Sequence, residues 1–538
     1  GSHYGIKVQS VGTGAFEVSG NRFENAGNYS VWIYLPGLKN GNELKGIYGN
    51  SYSGSTSVNG VVLNGYVSQE VTIPTGEYAS SGISVSSTGV LNVELGTTVC
   101  FESSKSFSVS GEVNFFGTEE APVVFTVLGD EEYGTTLPGR KYTSWDGIQV
   151  SEGGTLNAEY TKFLKSEGFS HNYQNGGILS YGTLNLTGCE VGKPDRSGYG
   201  IVVAKGGNTR LEGCTIGSVE GGIYVENSGE ASFVMKDSLV TGGSHYGIKV
   251  QSVGTGAFEV SGNCFENAGN YAVWVYLPGL KSGNELKGIH GNSYSGSQIV
   301  NGVVLNGYVS QELNVPTGEY VFNGVGVQNT GVLNVEQGTM VCFENGKSLF
   351  TYGEVNLLGT EEAPIVFTVL GDEEYGAGLP GTKYTSWGGI RVCEGGTLNA
   401  EHTKFLNYEG TRWDYGLYCG ILSQGTLNLT GCEVGAPDNN GYGIYLEEAE
   451  DTSIKDCVLD GKNNGIYVSC TSDASFLLED SVISGTASGG LYIQSIGTGT
   501  FSIAHNTFKD CGYYPIHMNL AQLYTGEELK GIHDNTIV

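Results

Sequence analysis

The sequence contains little proline, little methionine and few basic residues. Its 538 residues include 11 prolines, 3 methionines and 26 Lys plus Arg against 56 Asp plus Glu, so the formal net charge at pH 7 is −30. The acids are scattered singly and no basic patch is present. This balance argues against nucleic acid and anionic membrane surfaces as partners, because both bind clusters of positive charge. It suits a soluble, self-repelling extracellular protein.

Long apolar runs and helical periodicity are also missing. No apolar run reaches the roughly 18 residues that a membrane span needs, and we find no persuasive apolar stripe of an amphipathic helix. The chain shows neither a starting Met nor a signal peptide, and its first residues recur internally at 243–246. We therefore expect a segment of a longer parent protein.

The eleven cysteines do not form the pattern of a disulfide framework. Their number is odd, and five of them have no cysteine at the equivalent position of the long repeat described below. A framework would be duplicated in whole pairs, and no CxxC or Cys/His spacing indicates zinc. The sequence predicts small, buried, apolar cysteine side chains.

Glycine, in contrast, is abundant, with 88 residues. Together with plentiful Val, Ile, Tyr and Thr, this predicts many short strands joined by tight turns. The opening stretch GSHYGIKVQSVGTGAFEVSGN returns almost unchanged at 243–263 and in diverged form near Gly490. The offset is 242 residues from Gln9 to Gln251 and 243 from Gln251 to Gln494. We predict long copies at 1–242, 243–485 and 486–538.

A shorter period of about 24 residues lies inside each copy. One recurring phrase has a small side chain (Asn, Ser or Cys) at a fixed position between apolar residues, which we call the slot. A second phrase, Gly-Ile-x-Val, alternates apolar residues with positions of any type, as a half-buried strand does. Consecutive slots are 25, 24 and 25 residues apart in both copies. We predict a structural ladder of stacked side chains at an inward turn, formed by Asn21, Cys189, Cys214, Ser238, Asn263, Cys432, Cys457, Ser481 and Asn506.

One such unit cannot bury its own apolar face, whereas stacked units can. The sequence therefore predicts an all-β fold, one continuous parallel β-solenoid of about 22 coils of roughly 24 residues. At about 4.8 Å per coil this would be a rod on the order of 105 Å long. A string of immunoglobulin-like sandwiches is the alternative, but sandwiches would repeat near every 100 residues.

Two longer motifs resemble a known family. The run GTEEAPVVFT at 117–126, an acidic loop and SWDGI at 144–148 recur as GTEEAPIVFT at 359–368 and SWGGI at 386–390. They are similar to the right-handed parallel β-helix repeats of bacterial and archaeal surface proteins, which are adhesin-like members of the pectin-lyase-like superfamily. The resemblance covers nearly the whole chain and implies a right-handed β-helix. It implies little about activity, because the superfamily includes lyases, hydrolases, phage tailspikes and non-catalytic adhesins.

Catalytic groups of that superfamily do not persist between the copies. Its lyases need a basic residue to take a proton, and its glycosidases need clustered aspartates. Here Arg140 becomes Thr382 and Asp146 becomes Gly388. We therefore predict no catalytic residues and no enzyme, with a polysaccharide lyase or glycoside hydrolase as the alternative.

Outward aromatic pairs are the candidate carbohydrate site. In VWIYLPG the alternation places Val31, Ile33 and Leu35 inward, which turns the neighbouring aromatic residues outward. Flat aromatic surfaces stack on sugar rings. The candidates are Trp32, Tyr34, Trp274 and Tyr276. The alternative is that the following loop folds back and covers these rings.

The acidic loop LGDEEYG, present twice, is the candidate metal site. Three adjacent carboxylates could bind Ca²⁺ through oxygen ligands, namely Asp130, Glu131 and Glu132, then Asp372, Glu373 and Glu374. Adjacent acids usually point apart, so a solvated loop is the alternative, and we predict no other cofactor.

These observations favour an extracellular, non-catalytic structural and adhesive rod that is part of a longer surface or fibre-forming protein. Its expected partners are copies of itself, end to end or side by side, and glycans or a host or cell surface. The alternative function is a carbohydrate-binding or polysaccharide-cleaving β-helix.

Overall fold

The computed structural model describes residues 3–192, 198–410, 418–435, 441–470, 473–484, 487–519, 523 and 526–538. In this part of the chain the fold is an all-β parallel solenoid without α-helices, which confirms the predicted fold class. The helices described are short 3-10 helices at Leu35–Gly37, Asn42–Gly46, Leu277–Gly279, Asn284–Gly288 and Glu527–Gly531. None of these is long and apolar enough to cross a membrane.

The chain divides into two compact units. The first is Gly1–Val273 with Gly288–Ser297, and the second is Trp274–Lys287 with Gln298–Val538. The three copies predicted from the long repeat stay a prediction. The described residues form about 20 turns, fewer than the predicted 22, because two turns carry long inserts, one after Val127 and one after Val369.

Each turn of the first unit contributes strands to three faces. The first face holds the Gly-Ile strands and their equivalents: Tyr4–Val8, Tyr29–Tyr34, Val58–Val67, Glu77–Val85, Ser106–Val109, Gly147–Val150, Gln174–Ser180, Tyr199–Ala204, Gly221–Glu226, Tyr246–Ser252 and Tyr271–Tyr276, the last of which contains the division between the units. The second face holds Val18–Ser19, Ile47–Tyr48, Glu70–Ile73, Val90–Val93, Glu112–Phe116, Thr155–Glu159, Thr183–Thr187, Thr209–Glu212, Phe233–Lys236, Phe258–Ser261 and Ile289–His290. The third face holds Arg22–Glu24, Ser51–Ser53, Thr98–Phe101, Val123–Val127, Thr161–Phe163, Glu190–Val191, Thr215–Ser218, Leu239–Gly242, Cys264–Glu266 and Ser293–Ser295. A short strand, Phe169–His171, pairs antiparallel with Gln174–Ser180.

The second unit repeats this arrangement. Its first face holds Val300–Val309, Glu319–Val327, Leu349–Thr351, Ile390–Val392, Cys419–Ser423, Tyr442–Ala449, Asn464–Cys470, Gly489–Ser495 and Tyr514–Met518. Its second face holds Glu312–Val315, Val332–Glu336, Glu354–Leu358, Thr397–Glu401, Thr426–Thr430, Thr452–Lys455, Phe476–Glu479, Phe501–Ala504 and Ile532–His533. Its third face holds Met340–Phe343, Ile365–Val369, Thr403–Phe405, Glu433–Val434, Val458–Asp460, Val482–Ser484, Thr507–Lys509 and Thr536–Ile537.

Some long strands serve two faces. In Glu77–Val85 the first residues pair with Thr98–Phe101 on the third face, whereas Ile83 to Val85 pair with Phe107 to Val109 on the first face. Gly82 lies at the change of partner with φ +108. A side chain would strain this backbone, so glycine allows the bend.

The core is built from columns of identical apolar positions. In the first unit Ile178, Ile201, Ile223 and Ile248 pair in register on successive turns, and none of the four is exposed to solvent. The parallel register places each side chain on its equivalent in the next turn. Burying one such side chain stabilises the fold by about 1.5–3 kcal/mol. The isoleucine of each Gly-Ile phrase therefore marks a residue that stacks in the core.

The insert at 128–146 covers part of the outside of the first unit. Leu128 and Leu137 pack against Val58, Val62, Ala79 and Cys100 in one buried cluster. The N–H of Asn59 donates to the Leu137 carbonyl at 2.7 Å. The insert is therefore more than a solvated loop: its acidic tip is exposed, but its leucines shield apolar side chains. In the second unit the insert at 370–388 accepts the equivalent hydrogen bond, from Asn301 to Leu379 at 2.7 Å.

Candidate functional site

The predicted ladder side chains lie at a turn of the coil, and five of them accept a backbone hydrogen bond from the preceding coil, namely Ser238, Asn263, Cys457, Ser481 and Asn506. In the first unit the N–H of Cys214 donates to Ser238 Oγ at 3.0 Å, and the N–H of Ser238 donates to Asn263 Oδ1 at 3.0 Å. Both slot residues are almost fully buried. A small side chain with an acceptor atom fits this position because it satisfies an N–H that water cannot reach.

The second unit has the same connections. The N–H of Cys432 donates to Cys457 Sγ at 3.4 Å, that of Cys457 to Ser481 Oγ at 3.0 Å, and that of Ser481 to Asn506 Oδ1 at 2.9 Å. Cys189 is also buried, whereas Asn21 is exposed. The geometry adds three ladder members that we did not predict, Asn50, Asn292 and Asn535, whose side chains accept from the slot asparagines. In the sequence these three asparagines could have been recognised by the Gly-Asn or Asp-Asn pair that recurs after Gly-Ile-x.

The cysteines are packing residues in this structure. All eleven lie within the described residues, none is in a disulfide, and nine are buried. Burial raises the pKa of the Cys100, Cys342 and Cys470 thiols to about 12. These thiols therefore stay protonated and are poor nucleophiles at neutral pH.

A second ladder, made of asparagine, runs along the second face and was missed by the sequence analysis. In the first unit Asn114 Nδ2 donates to Asn92 Oδ1 at 3.1 Å, Asn157 to Asn114 at 2.9 Å, and Asn185 to Asn157 at 2.8 Å. Its signal was the asparagine shared by VLNV, EVNF, TLNA and TLNL. Each amide both donates and accepts, so consecutive turns are connected by side chains as well as by backbone.

The asparagine ladder of the second unit is one rung longer. Its amides connect, at 2.8–2.9 Å, Asn314, Asn334, Asn356, Asn399 and Asn428. These side chains are half-buried on the outside of the turns. The ladder thus stiffens a face without occupying the core.

The acidic loops use one carboxylate each to fix a turn. Asp130 is buried and accepts from Thr126 Oγ1 at 2.6 Å and from the N–H of Glu132 at 2.9 Å, with Lys165 Nζ at 3.4 Å. Glu131 and Glu132 are exposed. In the second unit Asp372 makes the equivalent contacts, and Asn407 takes the place of the lysine, while Glu373 and Glu374 are exposed.

These loops do not bring three carboxylates together. Among the described residues, one group of three His, Cys, Asp or Glu side chains has ligand atoms within 4.8 Å of one another, and it is elsewhere: His505, His533 and Asp534. Calcium binding at the loops stays a prediction, which a chelator-dependent fall in melting temperature would support.

The predicted carbohydrate residues are half-buried among neighbouring rings. The inward residues Val31, Ile33 and Leu35 are fully buried. The Trp32 ring lies 5.5 Å from Tyr4 and 6.2 Å from Tyr34, and Lys7 Nζ lies 5.0 Å from the Trp32 ring. Neighbouring coils therefore cover Trp32 in part. Trp274 and Tyr276 are half-buried as well, and sugar binding at all four residues stays a prediction.

A stack of four aromatic rings lies on the first face of the second unit. Tyr445, Tyr467, Tyr492 and His517 pair in register on successive turns. Their rings are 4.4, 5.3 and 4.9 Å apart and parallel within 10°. Tyr467, Tyr492 and His517 remain partly exposed.

A groove of about 450 Å³ lies along this stack. The rings of Tyr467, Tyr492 and His517 line it together with Tyr442, Asn463, Asn464, Ser488, Gly489, Tyr513 and Tyr514. Tyr513 and Tyr514 are 81% and 55% exposed. The groove combines flat apolar rings with amide and hydroxyl groups, which is the composition of small-molecule and sugar sites. We refer to it as the tyrosine groove.

Two substitutions relative to the earlier copies lie at the tyrosine groove. Gly489 occupies the position that Tyr4 and Tyr246 hold in the earlier copies. In the first unit Tyr246 lies beside Tyr271, and Lys249 Nζ lies 5.3 Å from the Tyr246 ring. Tyr492 replaces that lysine in the second unit. The third copy therefore exchanges a filled Tyr–Lys arrangement for an open aromatic surface.

Comparison with known proteins identifies the fold family. The family model for the right handed beta helix region matches residues 140–286 and 384–522, which together exceed half of the chain. Comparisons with curated proteins and with solved structures give no match. Members of the family include adhesive and polysaccharide-active proteins, so the match establishes the fold and leaves the activity open. Together with the parallel solenoid turns, it shows that this chain belongs to the right-handed β-helix family.

Proposed function

We propose that this chain is a non-catalytic structural and adhesive segment of a longer extracellular protein. The observation that carries the structural part is that side-chain ladders accompany the backbone pairing of successive turns. An outer ladder, such as Asn157 to Asn114, connects the earlier turns of each copy, and an inner ladder, such as Ser238 to Asn263, connects the later ones. Such ladders resist separation of neighbouring coils. Other copies of the chain and glycans of a cell surface are the proposed partners.

The non-catalytic part of the proposal is supported by the change of reactive groups between copies. Asp146, which lies next to the Gly147–Val150 strand, is Gly388 in the second copy, and Arg140 is Thr382. The ladder asparagines persist in contrast, with Asn157 matched by Asn399. The ladder amide is thus repeated, whereas Asp146 and Arg140 are not.

The tyrosine groove supports carbohydrate binding as the adhesive activity. Sugar rings stack on aromatic faces through their C–H surfaces while their hydroxyls bond to polar groups at the rim. Tyr513 and Tyr514, which are 81% and 55% exposed, offer such faces at the groove. The stacked rings of Tyr467 and Tyr492 cover each other's faces and present their edges to it. Asn463, Asn464 and Ser488 lie at the same groove.

A glycan array with the full chain tests this activity. We expect binding that weakens about tenfold or more in Tyr467→Ala and Tyr492→Ala, because central aromatic side chains dominate binding energy. Gly489→Tyr, which introduces the residue of the earlier copies, should fill the groove. Because its Cβ would lie 2.8 Å from the Tyr514 carbonyl oxygen and 2.9 Å from Asn464 Oδ1, its melting temperature is measured beside its binding. Tyr173→Ala, at a tyrosine that is 98% exposed in the first unit, is the matched control. Glycan binding that all three groove variants retain would contradict the assignment to this groove.

A further inference from the structure

Two stacked turns of the second unit carry an unusual set of side chains. His505 follows the strand Phe501–Ala504, and His533 ends the strand Ile532–His533 on the next turn. These strands pair in parallel, with Ile503 opposite Ile532 and Ala504 opposite His533. The register therefore places the two histidines and the adjacent Asp534 at the same corner of successive coils.

The three side chains are close enough to share one ion. Their ligand atoms all lie within 4.8 Å of one another. The imidazole rings are 5.8 Å apart and nearly perpendicular, at 86°. His533 Nδ1 lies 3.0 Å from Asp534 Oδ2. All three side chains are exposed, so an ion from solution can reach them.

The earlier copies show which of these residues the fold itself does not need. His505 stands where they have Gly20 and Gly262, and Asp534 stands where they have Gly49 and Gly291. The backbone is left-handed at these positions, with φ +67 at Gly262 and +61 at His505. Glycine adopts this conformation freely, whereas histidine does so at a cost. Two potential ligands have thus replaced two glycines at vertically adjacent turns, beside a histidine that the second copy already contains as His290.

We propose that His505, His533 and Asp534 form a binding site for a divalent transition-metal ion of the zinc class. Two imidazole nitrogens and one carboxylate oxygen are ligands that Zn²⁺ and its neighbours in the first row prefer, whereas Ca²⁺ and Mg²⁺ prefer oxygen alone. With three protein ligands, at least one coordination position is left for water or for a group on a partner. The bound ion would connect two consecutive coils at a corner outside the tyrosine groove.

Zinc titration of the tag-free full chain by isothermal calorimetry tests the site. We expect one site per chain, with affinity reduced at least about tenfold in His505→Gly and in Asp534→Gly. These variants introduce the residues of the earlier copies and relieve the left-handed backbone, so they should fold. His245→Asn, at an exposed histidine of the first unit, is the control and should bind as the parent does.

A gain-of-function variant provides an independent check. Gly262→His with Gly291→Asp places the same three ligand types around His290. Asp237, on the preceding turn, lies close to the new side chain at residue 262. The equivalent aspartate, Asp480, lies on the turn before His505, so a histidine is compatible with an aspartate at this position. We expect the stoichiometry to rise from one zinc ion per chain to two. Absence of zinc binding, or binding unchanged in both glycine variants of the third copy, would overturn the proposal.

Discussion

At the scale of single residues, hydrogen-bond geometry decides what each polar position does. Asp130 illustrates this, since the sequence offers it as one of three calcium ligands and the structure uses it to hold a turn. Burial raises the pKa of its carboxyl, but hydrogen bonds from Thr126 and from backbone N–H groups, together with Lys165, outweigh burial and leave the pKa below its ordinary value. The folded protein therefore favours the ionised form.

This shift predicts a contribution to acid sensitivity. Because the folded pKa of Asp130 is depressed, its stabilisation is present above the ordinary value of 3.8 and is lost as pH falls towards the lower folded pKa. Asp130→Asn should therefore reduce the fall in melting temperature between pH 7 and pH 3. Glu131→Gln, which removes the same charge from an exposed neighbour, should leave that fall as in the parent. Equal acid dependence of Asp130→Asn and the parent would show that this carboxylate does not contribute.

Residues also show where sequence-based prediction succeeds. Val31, Ile33 and Leu35 were placed inside by alternation alone and are fully buried, because period-2 patterning is a local property. The opening of the tyrosine groove was not predicted. The groove forms where Gly489 lies next to aromatic rings from three other turns. The sequence around a glycine does not show which rings the folded chain brings beside it.

At the scale of elements, the asparagine ladder connects strands that are far apart in sequence. Asn399 Nδ2 donates to Asn356 Oδ1 at 2.8 Å, and Asn399 Oδ1 accepts from Asn428 at 2.8 Å. Its strands, Glu354–Leu358, Thr397–Glu401 and Thr426–Thr430, pair in register. The inner ladder was predicted because its slot varies among similar small residues. The outer one was missed because a repeated Asn between Leu residues also fits an ordinary exposed strand position.

An amide-to-carboxylate change tests the outer ladder. Asn399→Asp removes the donor to Asn356 and sets two acceptor oxygens against each other, so the free energy of unfolding should fall by about 1 kcal/mol. The melting temperature should drop at pH 7 and recover in part when the carboxyl is protonated. Asn329→Asp introduces the same charge at an exposed position of the second unit and serves as the control. If the two variants melt alike at pH 7, the ladder adds nothing to stability.

At the scale of the whole molecule, the repeat explains both the fold and its variation. Turns of similar length allow the same contacts to recur, and the family match at 140–286 and 384–522 covers turns in both units. The net charge of −30 opposes close association at low salt. The two proposed binding sites rest on differences between copies, at Gly489, His505 and Asp534. The repeat alone does not predict them, because each residue departs from the repeated pattern.

Incubation of the full chain with a panel of acidic and neutral polysaccharides, including pectin and alginate, tests the central claim most directly. Retention on the polymer and release of reducing or unsaturated ends are measured in the same samples. The proposed non-catalytic adhesive function predicts retention that Tyr467→Ala diminishes, with no product above that of the polymer alone. Release of product by the parent chain, reduced in a groove variant, would show that the groove is an active site and contradict the account.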